Sequence, residues 1–233
     1  MKAVILAGGM GSRLRPYTYI MPKAMLPVGD KPILEHIIGY LSRNRVKDLV
    51  VATAYHGKQI EDYFRNGSDF GVHIDYARAR KPLGTAGQLK TAEPHISETF
   101  LAMNGDILID VNIRNLVSFH RAKGAVGTVA LRHYEVPLKY GIVTLANSDR
   151  ILEWREKPKL NLTMNIGLYV LEPKIFSYIK TGRAASLEKD TFPSMIKKKE
   201  RLFGYLSETE YYDVAEIEDL KKLDTRFLAK SEI

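Results

Sequence analysis

An apolar run that leads into a glycine-rich loop opens the chain: Lys2-Ala3-Val4-Ile5-Leu6-Ala7-Gly8-Gly9-Met10-Gly11-Ser12-Arg13-Leu14-Arg15-Pro16. The apolar run predicts a buried strand over residues 3–7. Closely spaced glycines let backbone N–H groups approach a phosphate chain, although a bare glycine turn is the alternative. The spacing matches neither the dinucleotide motif G-x-G-x-x-G nor the P-loop G-x-x-x-x-G-K-[ST]. The sequence therefore predicts a strand that ends in another kind of anion-binding loop.

Strand-like and helical patterns alternate through the first half of the chain. The strand patterns are short apolar runs, and the helical patterns repeat apolar residues every three to four positions. This alternation predicts an α/β fold, a Rossmann-like three-layer α/β/α arrangement with a mixed, mostly parallel sheet. The predicted strands cover residues 3–7, 49–53, 73–76 and 100–103, and the predicted helices cover residues 32–41, 60–64 and 85–91.

The second half of the chain changes character, because strand-like runs follow one another with few helices between them. Mixed or antiparallel pairing is therefore expected there. No internal repeat and no interdomain linker separates the halves, so residues 1–233 are expected to form one domain. The runs cover residues 127–131, 141–145, 151–154, 167–171 and 202–206, and helices are predicted over residues 187–199 and 217–228.

Charge and composition narrow the classes of partner. The 35 Lys and Arg against 27 Asp and Glu give a formal charge of +8, which suits nucleic acid, a membrane or phosphorylated small molecules. The charge forms no stripe interleaved with aromatic residues, which argues against nucleic acid. Without a long apolar stretch or a signal-peptide pattern, we expect a cytoplasmic protein with no membrane partner. The absence of cysteine excludes a thiolate zinc site, so any metal must be held mainly by oxygen ligands.

Two cations and one carboxylate are candidates for a phosphate and metal site. Arg13 lies in the glycine loop, and Lys23 follows in the segment Met21-Pro22-Lys23-Ala24-Met25-Leu26-Pro27-Val28. Asp106 follows a predicted strand, at the edge of an open α/β sheet where ligands usually bind. Taken singly, each of these side chains is more often an ordinary surface or turn residue than part of a binding site. Magnesium is normally held by one or two carboxylates together with phosphate oxygens and water, so a second carboxylate should converge on Asp106.

The order and spacing of these motifs resemble those of the sugar-1-phosphate nucleotidyltransferases, also called nucleotide-sugar pyrophosphorylases. The resemblance begins in the glycine loop and extends to Asp213, over nearly the whole chain. It is carried by Leu6-Ala7-Gly8-Gly9, Gly11-Ser12-Arg13-Leu14, Pro16 with Thr18, Pro22-Lys23 with Leu26-Pro27-Val28, Pro82-Leu83-Gly84-Thr85-Ala86-Gly87-Gln88, Asn104-Gly105-Asp106, Tyr140-Gly141, Glu156-Lys157-Pro158, Asn165-Ile166-Gly167 and Tyr211-Tyr212-Asp213.

The resemblance implies a nucleotide-binding half over about residues 1–110. Its glycine loop would wrap a triphosphate, residues 82–87 would line the base, and Asp106 with Asp213 would hold Mg²⁺. The catalytic residues would be Arg13, Lys23, Asp106 and Lys157. The nucleotide-binding residues would be Leu6, Ala7, Gly8, Gly9, Gly11, Ser12, Arg13, Lys23, Pro82, Gly84, Thr85, Gly87 and Asp106.

The remaining half, about residues 111–233, would bind the sugar phosphate by the same resemblance. Many members follow the second aspartate with Gly-Thr-Pro, whereas this chain has Ala215-Glu216-Ile217. The segment after Asp213 is too short for the C-terminal β-helix that some members carry, so none is expected in this chain. The sugar-phosphate residues would be Asn104, Tyr140, Gly141, Glu156, Lys157, Asn165 and Gly167.

The resemblance implies a Mg²⁺-dependent reaction between a nucleoside triphosphate and a sugar 1-phosphate that yields a nucleotide sugar and pyrophosphate. The leading substrate hypothesis is GTP with a mannose-type or heptose-type 1-phosphate. The alternatives are dTTP or UTP with glucose 1-phosphate, another phosphorylated acceptor, and a regulatory subunit that binds nucleotide sugars without turnover. Assembly into a homo-oligomer stays open, because no interface can be identified from the sequence.

Overall fold

Strands from both halves of the chain join one seven-stranded sheet in the computed structural model, which describes residues 1–231. The strands in that range are β1 (Lys2–Leu6), β2 (Pro27–Val28), β3 (Lys31–Pro32), β4 (Asp48–Thr53), β5 (His73–Arg78), β6 (Phe100–Asn104), β7 (Ile107–Ile109), β8 (Gly127–Pro137), β9 (Ile142–Leu145), β10 (Ile151–Arg155), β11 (Lys159–Leu171), β12 (Leu202–Leu206) and β13 (Tyr211–Asp213). The α-helices there are α1 (Ile33–Arg43), α2 (Gly57–Phe64), α3 (Gly84–Thr91), α4 (Ile113–Lys123), α5 (Phe192–Lys197) and α6 (Ile217–Ser231).

The central sheet has the strand order β12-β8-β11-β6-β1-β4-β5. β1 lies between β4 and β6 and is parallel to both, whereas β11 is antiparallel to its neighbours β6 and β8. Parallel neighbours need a crossover connection, and the helices of the first half supply it. The predicted α/β fold with a mixed, mostly parallel sheet is confirmed.

Alternate residues of β1 face two apolar cores on opposite sides of the sheet. Ala3 and Ile5 pack in the core that includes the buried face of α1, and Val4 and Leu6 pack in the core that includes α3. All four are buried, as expected of a parallel strand that is covered on both faces. The run that opens the chain therefore forms the centre of the fold and delivers the glycine loop at its carboxyl end.

The second half contributes an arm that extends beyond the central sheet. β8 and β11 are longer than predicted, and their register shifts between Asn165 and Tyr169. Beyond that irregularity they continue as an exposed ribbon, and the antiparallel pair β9 and β10 connects them. The sequence did not predict these lengths, because residues on an exposed ribbon have no buried face to impose an apolar pattern.

Two helical predictions differ from the structure. α4 was not predicted, because one position of its buried face is the polar residue His120 and the apolar pattern is interrupted there. His120 Nδ1 lies 2.9 Å from Thr128 Oγ1, and this contact accommodates the ring in the core. The helix predicted over residues 187–199 is divided into a π-helical turn, Leu187–Thr191, and the shorter α5. Pro193 lies in the first turn of α5, where its missing N–H is tolerated. Within residues 1–231, no helix is both long and apolar enough to cross a membrane.

The start of α3 is held against residues 183–186. The Ala86 N–H donates to the Ala185 carbonyl at 3.0 Å, and the Ala185 N–H donates to the Leu83 carbonyl at 2.9 Å. Gly84 has a φ of +69°, and a Cβ added there would overlap the Ala185 carbonyl oxygen. This glycine is therefore required by the packing of two backbone segments as well as by its own conformation.

We expect Gly84→Ala to destabilise the fold more than Gly71→Ala does. Both glycines have nearly the same φ, +69° and +68°, but nothing lies within 4 Å of a Cβ at position 71. The conformational penalty of about 1 kcal/mol is common to both, and overpacking at position 84 should add about 1–3 kcal/mol. Urea unfolding of the two variants measures the difference, and equal losses would contradict this packing.

Candidate active site

The glycine loop is fixed at both ends by side chains from elsewhere in the chain. The Gly8 N–H donates to Gln88 Oε1 of α3 at 2.8 Å, and the buried Thr18 hydroxyl donates to the Gly11 carbonyl at 2.8 Å. Gly11 has a φ of +57°, which suits the turn into the short 3₁₀ helix that carries Arg13. The loop is thus preformed, with Arg13 exposed beside it.

A cleft opens where β1 and β6 end, next to this loop. The Gly105 N–H donates to the Leu6 carbonyl at 3.0 Å, so the segments that follow the two strands are in direct contact. Seven of the residues predicted for nucleotide or sugar-phosphate binding line the cleft, which lies at the carboxyl ends of parallel strands as such sites usually do. The lining consists of Leu6, Ala7, Gly9, Lys23, Ala24, Thr85, Gln88, Asn104, Gly105 and Asp106.

Lys23 lies between the two predicted metal ligands. Its Nζ is 2.5 Å from Asp106 Oδ2 and 3.9 Å from Asp213 Oδ1, and only 12% of the Lys23 side chain is exposed. Asp213 reaches this position because β13 pairs with β7, which places Asp213 opposite Ile107. One ammonium group therefore balances two carboxylates that come from distant parts of the sequence.

The two carboxylates retain an excess of negative charge in spite of Lys23. Burial raises the pKa of Asp213, and the nearby Asp106 raises it further. Lys23 and Arg13 act in the opposite direction and lower that pKa. A pair of carboxylates with incomplete charge compensation favours an additional cation.

The donor set suits Mg²⁺ together with a phosphate ligand. In the part of the chain that the structure describes, no group of three or more His, Cys, Asp or Glu residues is arranged to hold a metal. Asp106 and Asp213 would therefore supply two oxygen ligands, and phosphate oxygens and water would have to supply the others. Mg²⁺ is commonly bound in this way, with one or two carboxylates.

Next to this cleft, the root of β11 presents the predicted sugar-side residues Asn165 and Gly167. Asn165 Oδ1 accepts from the Gly167 N–H at 2.9 Å, and Asn165 Nδ2 donates to the Tyr169 hydroxyl at 2.8 Å. Gly167 has a φ of +72°, and a Cβ there would lie 2.7 Å from Asn104 Nδ2. Among the described residues, Asn104 Oδ1 is buried without a hydrogen-bond partner. Asn104 thus keeps a buried acceptor that no described residue satisfies, whereas Asn165 mainly shapes the β11 irregularity.

Glu188 connects the base-side segment with the root of β11, and no pattern in the sequence pointed to this residue. Its Oε2 accepts from the Thr85 hydroxyl at 2.9 Å, and its Oε1 accepts from the Tyr169 hydroxyl at 2.9 Å. Thr85 Oγ1 in turn accepts from the Leu187 N–H at 2.8 Å. Three segments distant in sequence therefore share one hydrogen-bond network beside the cleft.

The other base-side residues are placed mainly by their own packing. Gly87 lies against the Arg183 carbonyl, 2.8 Å from where its Cβ would be, and Gly84 lies against Ala185. Pro82 is exposed at the entrance to α3, and Ser12 is exposed beside Arg13. The glycines therefore allow the close approach of residues 183–186, which brings Thr85 to the cleft.

The remaining sugar-side residues lie on the arm. Tyr140 is 80% exposed, and a Cβ on Gly141 would lie 2.6 Å from Glu156 Oε2. Lys157 has a φ of +42°, a strained value for a residue with a side chain. No hydrogen bond or ion pair within residues 1–231 joins these side chains to the cleft. The structure thus gathers these residues into a second group, apart from the phosphate and carboxylate cluster.

Comparisons with known proteins agree with this fold. The nucleotidyl transferase family profile matches residues 2–230, and the chain belongs to this family.

Two curated relatives have similar sequences. The chain is 33% identical to UTP–glucose-1-phosphate uridylyltransferase of Synechocystis sp. and 34% identical to mannose-1-phosphate guanyltransferase of Saccharomyces cerevisiae. Each alignment covers 94% of this chain, which spans 61% and 62% of the lengths of these relatives. A solved structure from Bacillus anthracis, provisionally named glucose-1-phosphate thymidylyltransferase, superposes with a TM-score of 0.78 at 26% identity, covering 98% of this chain and 95% of that one.

Replacing Lys23 with Met should raise the pKa of the Asp213 carboxyl above its value in the unmodified protein. The nearby ammonium lowers that pKa, so its removal leaves burial and Asp106 unopposed except by Arg13. Carbon-13 NMR titration of the metal-free protein measures the change. Lys31→Met, which removes a lysine paired with Glu35 at 3.6 Å, is the matched control and should leave Asp213 unchanged. An unchanged or lower Asp213 pKa in Lys23→Met would contradict the charge balance described above.

Proposed function

We propose that the chain catalyses the reaction of a nucleoside triphosphate with a sugar 1-phosphate, forming a nucleotide sugar and releasing pyrophosphate. The observation that carries this proposal is the position of Lys23, between Asp106 and Asp213 and beside a preformed glycine loop. Cations, paired carboxylates and free loop N–H groups at one cleft suit a metal-bound triphosphate. Membership of the nucleotidyl transferase family supports the same reaction class.

In the proposed reaction, an oxygen of the sugar phosphate attacks the α-phosphorus of the triphosphate. A bond forms between that oxygen and the α-phosphorus, while the bond to the bridging oxygen of the β-phosphate breaks and pyrophosphate leaves. No protein nucleophile is needed, because a phosphate monoester is largely anionic at neutral pH. Arg13 and Lys23 would neutralise the charge that develops on the leaving pyrophosphate. Mg²⁺ held by Asp106 and Asp213 would supply further charge neutralisation when bound.

The sugar-side proposal rests on two features. Asn104 Oδ1 is an unpartnered acceptor in the cleft wall, which suits the donating hydroxyl of a sugar. On the arm, Glu156 would accept from further hydroxyls and Lys157 would hold the sugar phosphate. Because Lys157 occupies a strained backbone position at the turn, its side chain is directed by the fold rather than by local preference.

For the substrates, we propose GTP with a mannose-type or heptose-type 1-phosphate. Several relatives at 34% identity are named mannose-1-phosphate guanyltransferase, which supports this pairing. A relative at 33% identity is named UTP–glucose-1-phosphate uridylyltransferase, which supports UTP with glucose 1-phosphate as the main rival. The cytoplasmic location, the lack of a nucleic-acid partner and homo-oligomerisation stay predictions.

The test is pyrophosphate release from a matrix of nucleoside triphosphates and sugar 1-phosphates with Mg²⁺. We expect pyrophosphate release with one preferred pair of substrates. In Asp106→Asn the rate of release should fall at least roughly 100-fold, because this one change removes a proposed metal ligand that is also the partner of Lys23. Asp110→Asn is the matched control, since Asp110 is an exposed aspartate outside the cleft, and it should change the rate by less than about twofold.

Two results would contradict the proposed reaction. If no pair of substrates released pyrophosphate while the protein still bound a nucleotide sugar, the result would favour a regulatory protein without turnover. Release that is equally reduced in Asp106→Asn and Asp110→Asn would show that the rate does not depend on the carboxylate pair.

A further inference from the structure

A second cleft carries a strong positive charge at the end of the sheet opposite the candidate active site. It lies where β1 begins, between the end of α1 and α4, and includes Met1. The candidate active site lies beyond the other end of β1, and the five residues of that strand span about 16 Å. The arginines that line this cleft are Arg43, Arg45, Arg114 and Arg121.

These four arginines have no acidic partner in the part of the chain that the structure describes. No Asp or Glu lines the cleft, and none of the four guanidinium groups forms an ion pair within 4.0 Å of a carboxylate. The other cation at the cleft, the amino group of Met1, is 3.7 Å from Glu98. Arginine stays charged at all physiological pH values, so four such groups repel one another unless an anion joins them.

The backbone at one of these positions favours a smaller residue. Arg45 follows α1 with a φ of +62°, and its N–H donates to the Ser42 carbonyl at 2.9 Å. Glycine is preferred at such a helix end, and a residue with a Cβ is disfavoured there. The chain thus presents a long cation at a site where the local conformation opposes it.

We propose that this arginine cleft, lined by Arg43, Arg45, Arg114 and Arg121, binds a small anion that carries two or more phosphate groups. Guanidinium groups from the end of α1 and from the first and last turns of α4 can grip phosphate oxygens in a bidentate manner, and their number suits a polyphosphate rather than a single carboxylate. None of the described residues that line the cleft is aromatic, so this lining lacks the stacking surface that binds single-stranded nucleic acid.

The position of the arginine cleft gives its ligand a route to the candidate active site. Asp106, β7 and α4 follow one another directly in the chain, and β7 pairs with β13, which carries Asp213. An anion held at the start of α4 would therefore act on the segment that positions both carboxylates. An effect of the bound anion on catalysis rests on the proposed function, whereas the binding of the anion does not.

The experiment is calorimetric titration of inorganic pyrophosphate into metal-free protein. The Arg13→Gln/Lys23→Gln variant serves as the background, because it removes the two cations of the candidate active site. We expect this background to bind one pyrophosphate, and the further change Arg114→Gln/Arg121→Gln to weaken that binding at least about tenfold. Lys180→Gln/Lys197→Gln is the matched control, since it removes the same charge from two exposed lysines without ion pairs, and it should change the Kd by less than about twofold.

Circular dichroism checks that each variant is folded. If the Arg114→Gln/Arg121→Gln variant does not fold, Arg43→Gln replaces it, and we expect this single change to weaken pyrophosphate binding at least about threefold. A background protein that binds no pyrophosphate would overturn the proposal. An equal loss in the lysine control would also overturn it, because the binding would then reflect diffuse charge. Tighter, arginine-dependent binding of a single-stranded oligonucleotide would overturn the assignment to a small anion. None of these readouts depends on turnover, so a failure of the arginine cleft is distinguishable from a failure of the proposed reaction.

Discussion

The contact of one ammonium group with two carboxylates is the constraint on which the candidate site depends. Asp106 and Asp213 would repel each other in a partly buried position, and Lys23 reduces this repulsion by lying between them. The arrangement requires three segments to meet: the segment after the glycine loop, the end of β6 and the end of β13. The segments come together because β1 pairs with β6 in the centre of the sheet and β7 pairs with β13.

The same contact links the architecture to the chemistry proposed for the cleft. Lys23 provides a positive charge where a divalent cation would be held, so the carboxylates are partly compensated before any substrate binds. A metal-bound triphosphate would bring its own cation for the carboxylates and its own anions for Lys23 and Arg13. The exchange of partners would then proceed without leaving a buried charge unpaired, which is costly in a protein interior.

Local patterns predicted the centre of the fold, whereas most residues of the cleft were expected through the resemblance to a known family. The apolar run of β1 and the glycine loop are continuous in sequence, so their pattern indicated the strand and a glycine turn, with anion binding as one of two interpretations of that turn. By contrast, Glu188 and Gln88 act through hydrogen bonds to segments far away in the chain, and no local pattern reports such a partner. β13 is three residues long and depends on β7 for its pairing, and α4 includes a buried histidine. The lengths of β8 and β11 escaped prediction because their outer parts lie on the exposed arm.

The most direct test of the account is the affinity of the metal-free protein for Mn²⁺, measured by electron paramagnetic resonance in the absence of nucleotide. If Lys23 balances the two carboxylates, Lys23→Met should bind Mn²⁺ roughly several-fold more tightly than the unmodified protein, because the competing cation is gone. Asp213→Asn should bind it more weakly. The account would be contradicted if Lys23→Met bound Mn²⁺ no more tightly than the unmodified protein.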